Sequence, residues 1–290
     1  MNTYVKKIDD IRPTQLYICK EKLASIEGYI GSVGLEELDP LPVKTIGKKT
    51  FFTDGHTRAF ALFKSGADEI EVYEDKDDLD WIEYLVCLDW CEQEKIHNIG
   101  DLQDKIIPEP AYNERWLDRC RRMQHTVKSD PDEFIKIETI VDPDLKGDIT
   151  DIILRSLPQW FGIEDAIVEY VKGVRDSAFL TINIKNTEVG FISIIDHNEY
   201  TSEIYAMGIF KEFHRKGFGK KLLNEAVNKL KIQGKKFLTV KTLSDTHPDV
   251  NYKITRNFYK SMGFYPLQEL PDLWGKSNPC LLMIKRLDDI

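Results

Sequence analysis

The chain has 290 residues, 42% hydrophobic and 31% charged, with a net charge of −9 at neutral pH. That composition is globular, and at ~150 residues per domain it predicts two domains. The acidic balance argues against broad nucleic-acid binding by bulk electrostatics. No stretch approaches roughly 18 uninterrupted apolar residues, so no membrane span is expected. Residues 1–10 lack a signal-peptide core, which makes cytoplasmic residence the expectation.

In chain order, Leu16 to Ile30 reads as a helix with Leu16, Cys19, Leu23 and Ile26 on one face, and Gly28, Gly31 and Gly34 break the pattern. Val43 to Ile46 and Phe51-Phe52 read as strands. Thr53-Asp54-Gly55-His56-Thr57-Arg58 is then a turn into a short helix that Gly66 closes, and Ile70 to Tyr73 is another strand. The acidic run Asp75 to Asp80 reads as a solvated connector. It leads into a helix from Asp80 to about Lys95, a helical piece from Ile99 ended by Pro108 and Pro110, and a third helix from Tyr112 to Met123. Of the five cysteines, Cys87 and Cys91 lie one helical turn apart, but no partner pair follows at zinc spacing. Free buried thiols and no metal are the expectation.

Ser129 to Asp132 is the predicted linker, giving domains at 1–128 and 129–290. Phe134 to Ile140 opens the second with a strand, and helices follow at Asp148 to Leu157 and Ile163 to Val174. Phe179 to Ile184 and Val189 to Ile195 pair as a hairpin. His197 and Glu199 sit in a polar turn that reads as solvated. Glu203 to Phe210 is a strand with Glu203, Tyr205, Met207 and Ile209 on one face. It runs into His214-Arg215-Lys216-Gly217-Phe218-Gly219-Lys220, behind which Leu222, Leu223, Ala226, Val227 and Leu230 recur at helical spacing. Strand, basic glycine turn and helix together suit an anion: glycines admit close approach, and the first helical amides point outward with the positive dipole end behind them. The stretch alone also fits a plain strand-to-helix turn. It is neither a Walker loop nor a dinucleotide fingerprint, because the Gly-Lys-Ser/Thr and the third glycine are missing. Phe237 to Thr242 is a strand, Tyr252 to Met262 a helix, and Leu281 to Ile284 the last strand.

His214-x-x-Gly217-x-Gly219 resembles the Arg/Gln-x-x-Gly-x-Gly/Ala cradle of the GNAT acetyltransferase superfamily, with histidine in the first place. Tyr252-x-x-Thr255-Arg256-x-Phe258-Tyr259, followed by Gly263-Phe264, resembles that family's cofactor-side helix, and the ending from Leu273 to Ile284 is similar to one bacterial subgroup. The resemblance implies a GNAT acyl-CoA N-acyltransferase fold, α+β with a mixed, mostly antiparallel sheet, over roughly residues 130–290. It implies acetyl transfer from acetyl-CoA to an amine, small or on a protein. The cradle at Arg215, Lys216, Gly217, Phe218, Gly219 and Lys220 would hold the pyrophosphate, and Met207, Gly208 and Ile209 the pantetheine arm. Glu203 would be the general base and Tyr259 the acid that protonates the departing thiolate. Glu164, Asp165 and Glu169 hint at a cationic acceptor.

Asp54-Gly55-His56-Thr57-Arg58 resembles the signature turn of the ParB/sulfiredoxin-like superfamily. That implies an α/β first domain with a helical extension, and a phosphate or nucleotide site with His56 and Arg58 as donors, where Asp54 either caps the helix or helps hold a metal. The catalytic cysteine of the sulfiredoxin turn is missing. Two readings compete with the enzyme: a regulatory protein that binds acyl-CoA or nucleotide without turnover, and a ParB-like nuclease.

Overall fold

The computed structural model describes residues 2–34 and 38–287. The chain divides into two compact units, Met1–Ile135 with Ile184–Thr187, and Lys136–Asn183 with Glu188–Ile290.

The first unit contains β1 (Thr3–Lys7), β2 (Ile11–Arg12), β3 (Ile18–Cys19), α1 (Lys20–Val33), β4 (Leu41–Ile46), β5 (Lys49–Phe52), α2 (His56–Lys64), β6 (Glu69–Glu74), α3 (Trp81–Gln93), β7 (Ile106–Ile107), α4 (Glu109–Tyr112) and α5 (Asp118–Ser129). Five strands form a mixed sheet in the order β1-β6-β4-β5-β2, and β3 pairs with β7. Phe51 and Phe52 on β5 and Phe60 on α2 are fully buried. The start of α3 is fixed locally, because the Asp80 carboxylate accepts from the Ile82 amide at 3.0 Å.

The second unit is built on a seven-stranded sheet. Its elements are β8 (Ile135–Thr139), α6 (Pro143–Arg155), α7 (Glu164–Gly173), β9 (Ala178–Ile184), β10 (Thr187–Asp196), β11 (Thr201–Ile209), α8 (Phe218–Ile232), β12 (Phe237–Leu243), α9 (Val250–Ser261), β13 (Tyr265–Leu270) and β14 (Cys280–Arg286). The strand order is β13-β14-β12-β11-β10-β9-β8. β11 pairs antiparallel with β10 and parallel with β12. The middle strands are buried along nearly their whole length, as a sheet covered on both faces requires. Helix starts are again written locally: Asp142 accepts from the amides of Asp144 and Leu145, and Asp249 from that of Tyr252.

Several elements differ from the sequence expectations. The helix expected from Leu16 starts at Lys20, because Ile18 and Cys19 pair with Ile106 and Ile107. Gly28 and Gly31 lie inside that helix rather than breaking it. The helix expected from Asp148 begins at Pro143. Pro110 does not end a helix but sits in the first turn of one, where its missing N–H is harmless. Strands β1, β2, β3 and β7 carry no periodic signal; two to five residues long, they exist through pairing with distant partners.

Candidate active site

β11 and β12 run side by side in parallel register from Thr201/Phe237 to Ile204/Val240, and the pairing stops there, although β11 continues to Ile209 and β12 to Leu243. The stop coincides with a bulge. Ile194 faces Ile204 but Ser193 faces Ala206, so Tyr205 is the extra residue on β11. Beyond it the Phe210 amide bonds the Val189 carbonyl at 2.9 Å. Antiparallel alternation then aims Gly208 and Ala206 at β10, and turns the backbone of Met207 and Ile209 to the side that β12 has left. Gly208 is also required for packing: a Cβ there would lie 2.8 Å from Ile153 on α6.

The gap opens into a cleft of about 540 Å³. Its walls include Met207, Gly208 and Ile209 of β11, Val240, Lys241 and Thr242 of β12, and Tyr252, Phe258 and Tyr259 of α9. At one end lie His214, Arg215, Gly217, Gly219 and Lys220. Gly217 is the cap residue of α8 with φ of 87°, which explains the glycine, since open space surrounds its missing Cβ. Phe218 points inward against Phe213, with ring centroids 5.2 Å apart, and anchors the turn. No acidic residue occupies the first turn of α8, so its leading amides and the exposed Arg215 and Lys220 form an electropositive end. Of the expected cradle residues, Lys216 and Phe218 do not line the cleft. His214 has a specific task. Its Nε2–H donates to the Ile209 carbonyl at 2.7 Å, tying the cradle to the end of β11 and leaving only the amide of Ile209 for a ligand.

Tyr259 is buried in the cleft wall. Burial, with Tyr170 and Tyr252 beside it, pushes its phenol above the ordinary range, so the proton stays on. Glu203 is buried too, but it does not line the cleft. Lys241 Nζ lies 2.7 Å from both of its oxygens, and His197 Nε2 lies 2.8 Å from Oε2. Lys241 therefore stands between Glu203 and the cleft, and His197 connects the carboxylate to the exposed turn. Of the acids expected to favour a cation, Glu164 is held by Arg155 and Glu169 by Lys172, and none of Glu164, Asp165 and Glu169 lines the cleft.

Three residues that the sequence did not single out belong to this site. Thr242 is 2% exposed and its hydroxyl has no hydrogen-bond partner. Lys241 is placed as described. Trp160 spans two walls: its indole donates to Thr255 at 3.1 Å, its carbonyl accepts from Tyr252 at 2.7 Å, and its ring meets His214 edge-on at 5.4 Å. Nothing periodic marks these residues; the alternation of β12 identifies a strand but not where its partner departs.

In the first unit, the turn at Asp54 to Arg58 does open a helix, with Gly55 at φ 77° as its cap residue. The cap position is Gly55 rather than Asp54, so the cap residue brings no side chain to the helix start. His56 is 6% exposed and turned inward, where its Nε2 accepts the Thr14 amide at 2.9 Å. Burial lowers its pKa to about 4, which keeps the ring neutral. Arg58 reaches back to the Asp39 carbonyl at 3.4 Å. Among the described residues no group of three or more His, Cys, Asp or Glu is placed to hold a metal ion. Nor, among them, is any helix long and apolar enough to cross a membrane.

Residues 175–266 match the family model of the acetyltransferase (GNAT) domain. No curated protein matches the chain. Among solved structures, a proposed GNAT-family acetyltransferase from Desulfovibrio desulfuricans is similar at 17% identity, covering 53% of this chain and 99% of that one, with a TM-score of 0.46. Ard1 from Thermoplasma volcanium is similar at 17% identity over 54% of this chain and 99% of its own, TM-score 0.44. The aminoglycoside 6'-N-acetyltransferase from Enterococcus faecium is similar at 19% identity over 53% and 98%, TM-score 0.42. The match runs from just before β9 to the start of β13, so residues 175–266, within the second unit, form a GNAT acetyltransferase domain.

Proposed function

We propose that the second unit transfers an acetyl group from acetyl-CoA to an amine, and that the cleft is where it does so. The observation that carries this reading is the parting of β11 and β12 at Ile204/Val240, which opens onto a helix N-terminus at one end and has a buried phenol in its wall. The pyrophosphate takes the amides at the start of α8 with Arg215 and Lys220. The pantetheine arm lies along β11, bonding the Met207 carbonyl and the Ile209 amide, which leaves the Met207 amide free. Held there, the thioester carbonyl meets the amine at fixed geometry, and a free β11 amide stabilises the oxyanion.

The amine nitrogen bonds to the carbonyl carbon and the C–S bond breaks. Tyr259 gives its proton to the departing sulfur. The surplus proton on nitrogen leaves through water towards Glu203 and His197, and a proton from solvent restores the phenol. A phenol suits the acid role because its raised pKa keeps it protonated at neutral pH. The inward-facing His56 favours no second reading for the first unit.

Calorimetric titration with acetyl-CoA tests the proposal, repeated on a Gly217→Asp/Gly219→Asp variant. Micromolar binding lost in the variant supports it. Absence of binding by the wild-type protein overturns it.

A further inference from the structure

The part of the cleft beyond the cradle is walled by rings. Phe161 and Tyr170 meet edge-on at 5.8 Å, Tyr170 and Tyr205 at 5.5 Å, and Tyr252 and Tyr259 complete the wall. Two of these tyrosines turn their hydroxyls to backbone: Tyr205 donates to the Glu169 carbonyl at 3.3 Å and Tyr252 to the Trp160 carbonyl at 2.7 Å. What they offer a ligand is mostly ring surface.

The charge at this site points the same way. No Asp or Glu is among the described residues that line the cleft. The nearby carboxylate, Glu203, is covered by Lys241, and Lys241 itself lines the cleft. A second ammonium on an acceptor would find the like charge of Lys241 in the wall and no carboxylate among the lining residues to pair with. An aromatic or apolar body would instead gain burial against the rings.

Building on the acetyl-transfer reading, we infer that the acceptor is a monoamine carried on a flat apolar or aromatic body, taken as the free base, and that polycationic amines are excluded. The nitrogen lies towards Lys241 and Tyr259, and the body lies against Tyr170 and Tyr205.

The test is steady-state release of coenzyme A by the full chain, with 2-phenylethylamine and tryptamine against spermidine and kanamycin. The aromatic amines should exceed the polycations in kcat/KM by at least about tenfold. Tyr170→Ala should lower kcat/KM for the aromatic amines by about tenfold with acetyl-CoA affinity unchanged, and Tyr170→Phe, which keeps the ring, should preserve it. Equal or better use of spermidine or kanamycin overturns the inference, as does a Tyr170→Ala protein that binds acetyl-CoA and keeps full activity on aromatic amines. Acetyl-CoA binding without turnover of either aromatic amine overturns the acceptor class alone. Failure to bind acetyl-CoA overturns the transfer reading with it.

Discussion

Replacing Thr242 by valine should move stability and ligand affinity in opposite directions. The residue lines the cleft, and its hydroxyl is buried and bonds to nothing in the free protein. An unsatisfied buried polar group costs ~1–3 kcal/mol, and valine fills nearly the same space without one. The Thr242→Val protein should therefore be more stable by about 1 kcal/mol, which for a unit of this size raises the melting temperature by about 2–4 °C. If the hydroxyl is there to bond acetyl-CoA, the same change removes a hydrogen bond worth about 1 kcal/mol and weakens binding roughly fivefold. Differential scanning calorimetry of the free protein and isothermal titration with acetyl-CoA read the two effects separately. An affinity within twofold of wild type would refute the role of Thr242 in binding. A lower melting temperature would refute the premise that the hydroxyl is unsatisfied.

Tyr259→Phe should lower kcat by about 10²-fold or more, the usual worth of a general acid, with little change in acetyl-CoA affinity. Since burial raises the phenol, its acid form is lost only as pH climbs above the ordinary tyrosine value of ~10, so kcat/KM should show no alkaline fall from this group below that pH. Lys241→Met leaves a buried carboxylate with His197 alone and should destabilise the protein by about 2 kcal/mol, less than a fully buried pair because the lysine is 31% exposed. Adding Glu203→Gln should recover most of that loss in a double-mutant cycle followed by urea unfolding. His56, buried and neutral with a pKa of about 4 against 6.5 unfolded, contributes stability above pH 6.5 that is lost as pH falls towards 4. The drop should amount to about 3 kcal/mol, and a His56→Gln protein should show a flatter acid limb in the same assay.

The sequence by itself determined what short-range chemistry decides. The glycine at 217 and the helical spacing behind it mark the turn into α8, because a positive φ and a helix start depend on a handful of neighbouring residues. Tyr259 was legible through the resemblance of Tyr252-x-x-Thr255-Arg256-x-Phe258-Tyr259 to the GNAT cofactor-side helix, and the structure places it on a capped helix, buried in the cleft wall. Tertiary structure decided everything that depends on how one strand meets another. Where β11 and β12 part is a matter of register and of the bulge at Tyr205, to which alternation within either strand is blind. Glu203 reads as an available base until Lys241, 38 residues away, is brought against it, and His197 reads as solvated until the turn folds it back onto the same carboxylate. His56 reads as an outward-facing ring until burial turns it inward, where its Nε2 accepts from Thr14, 42 residues before it. In each case a polar side chain, once buried, must find a partner somewhere in the fold, and which partner it finds is set by long-range packing rather than by its neighbours in the chain.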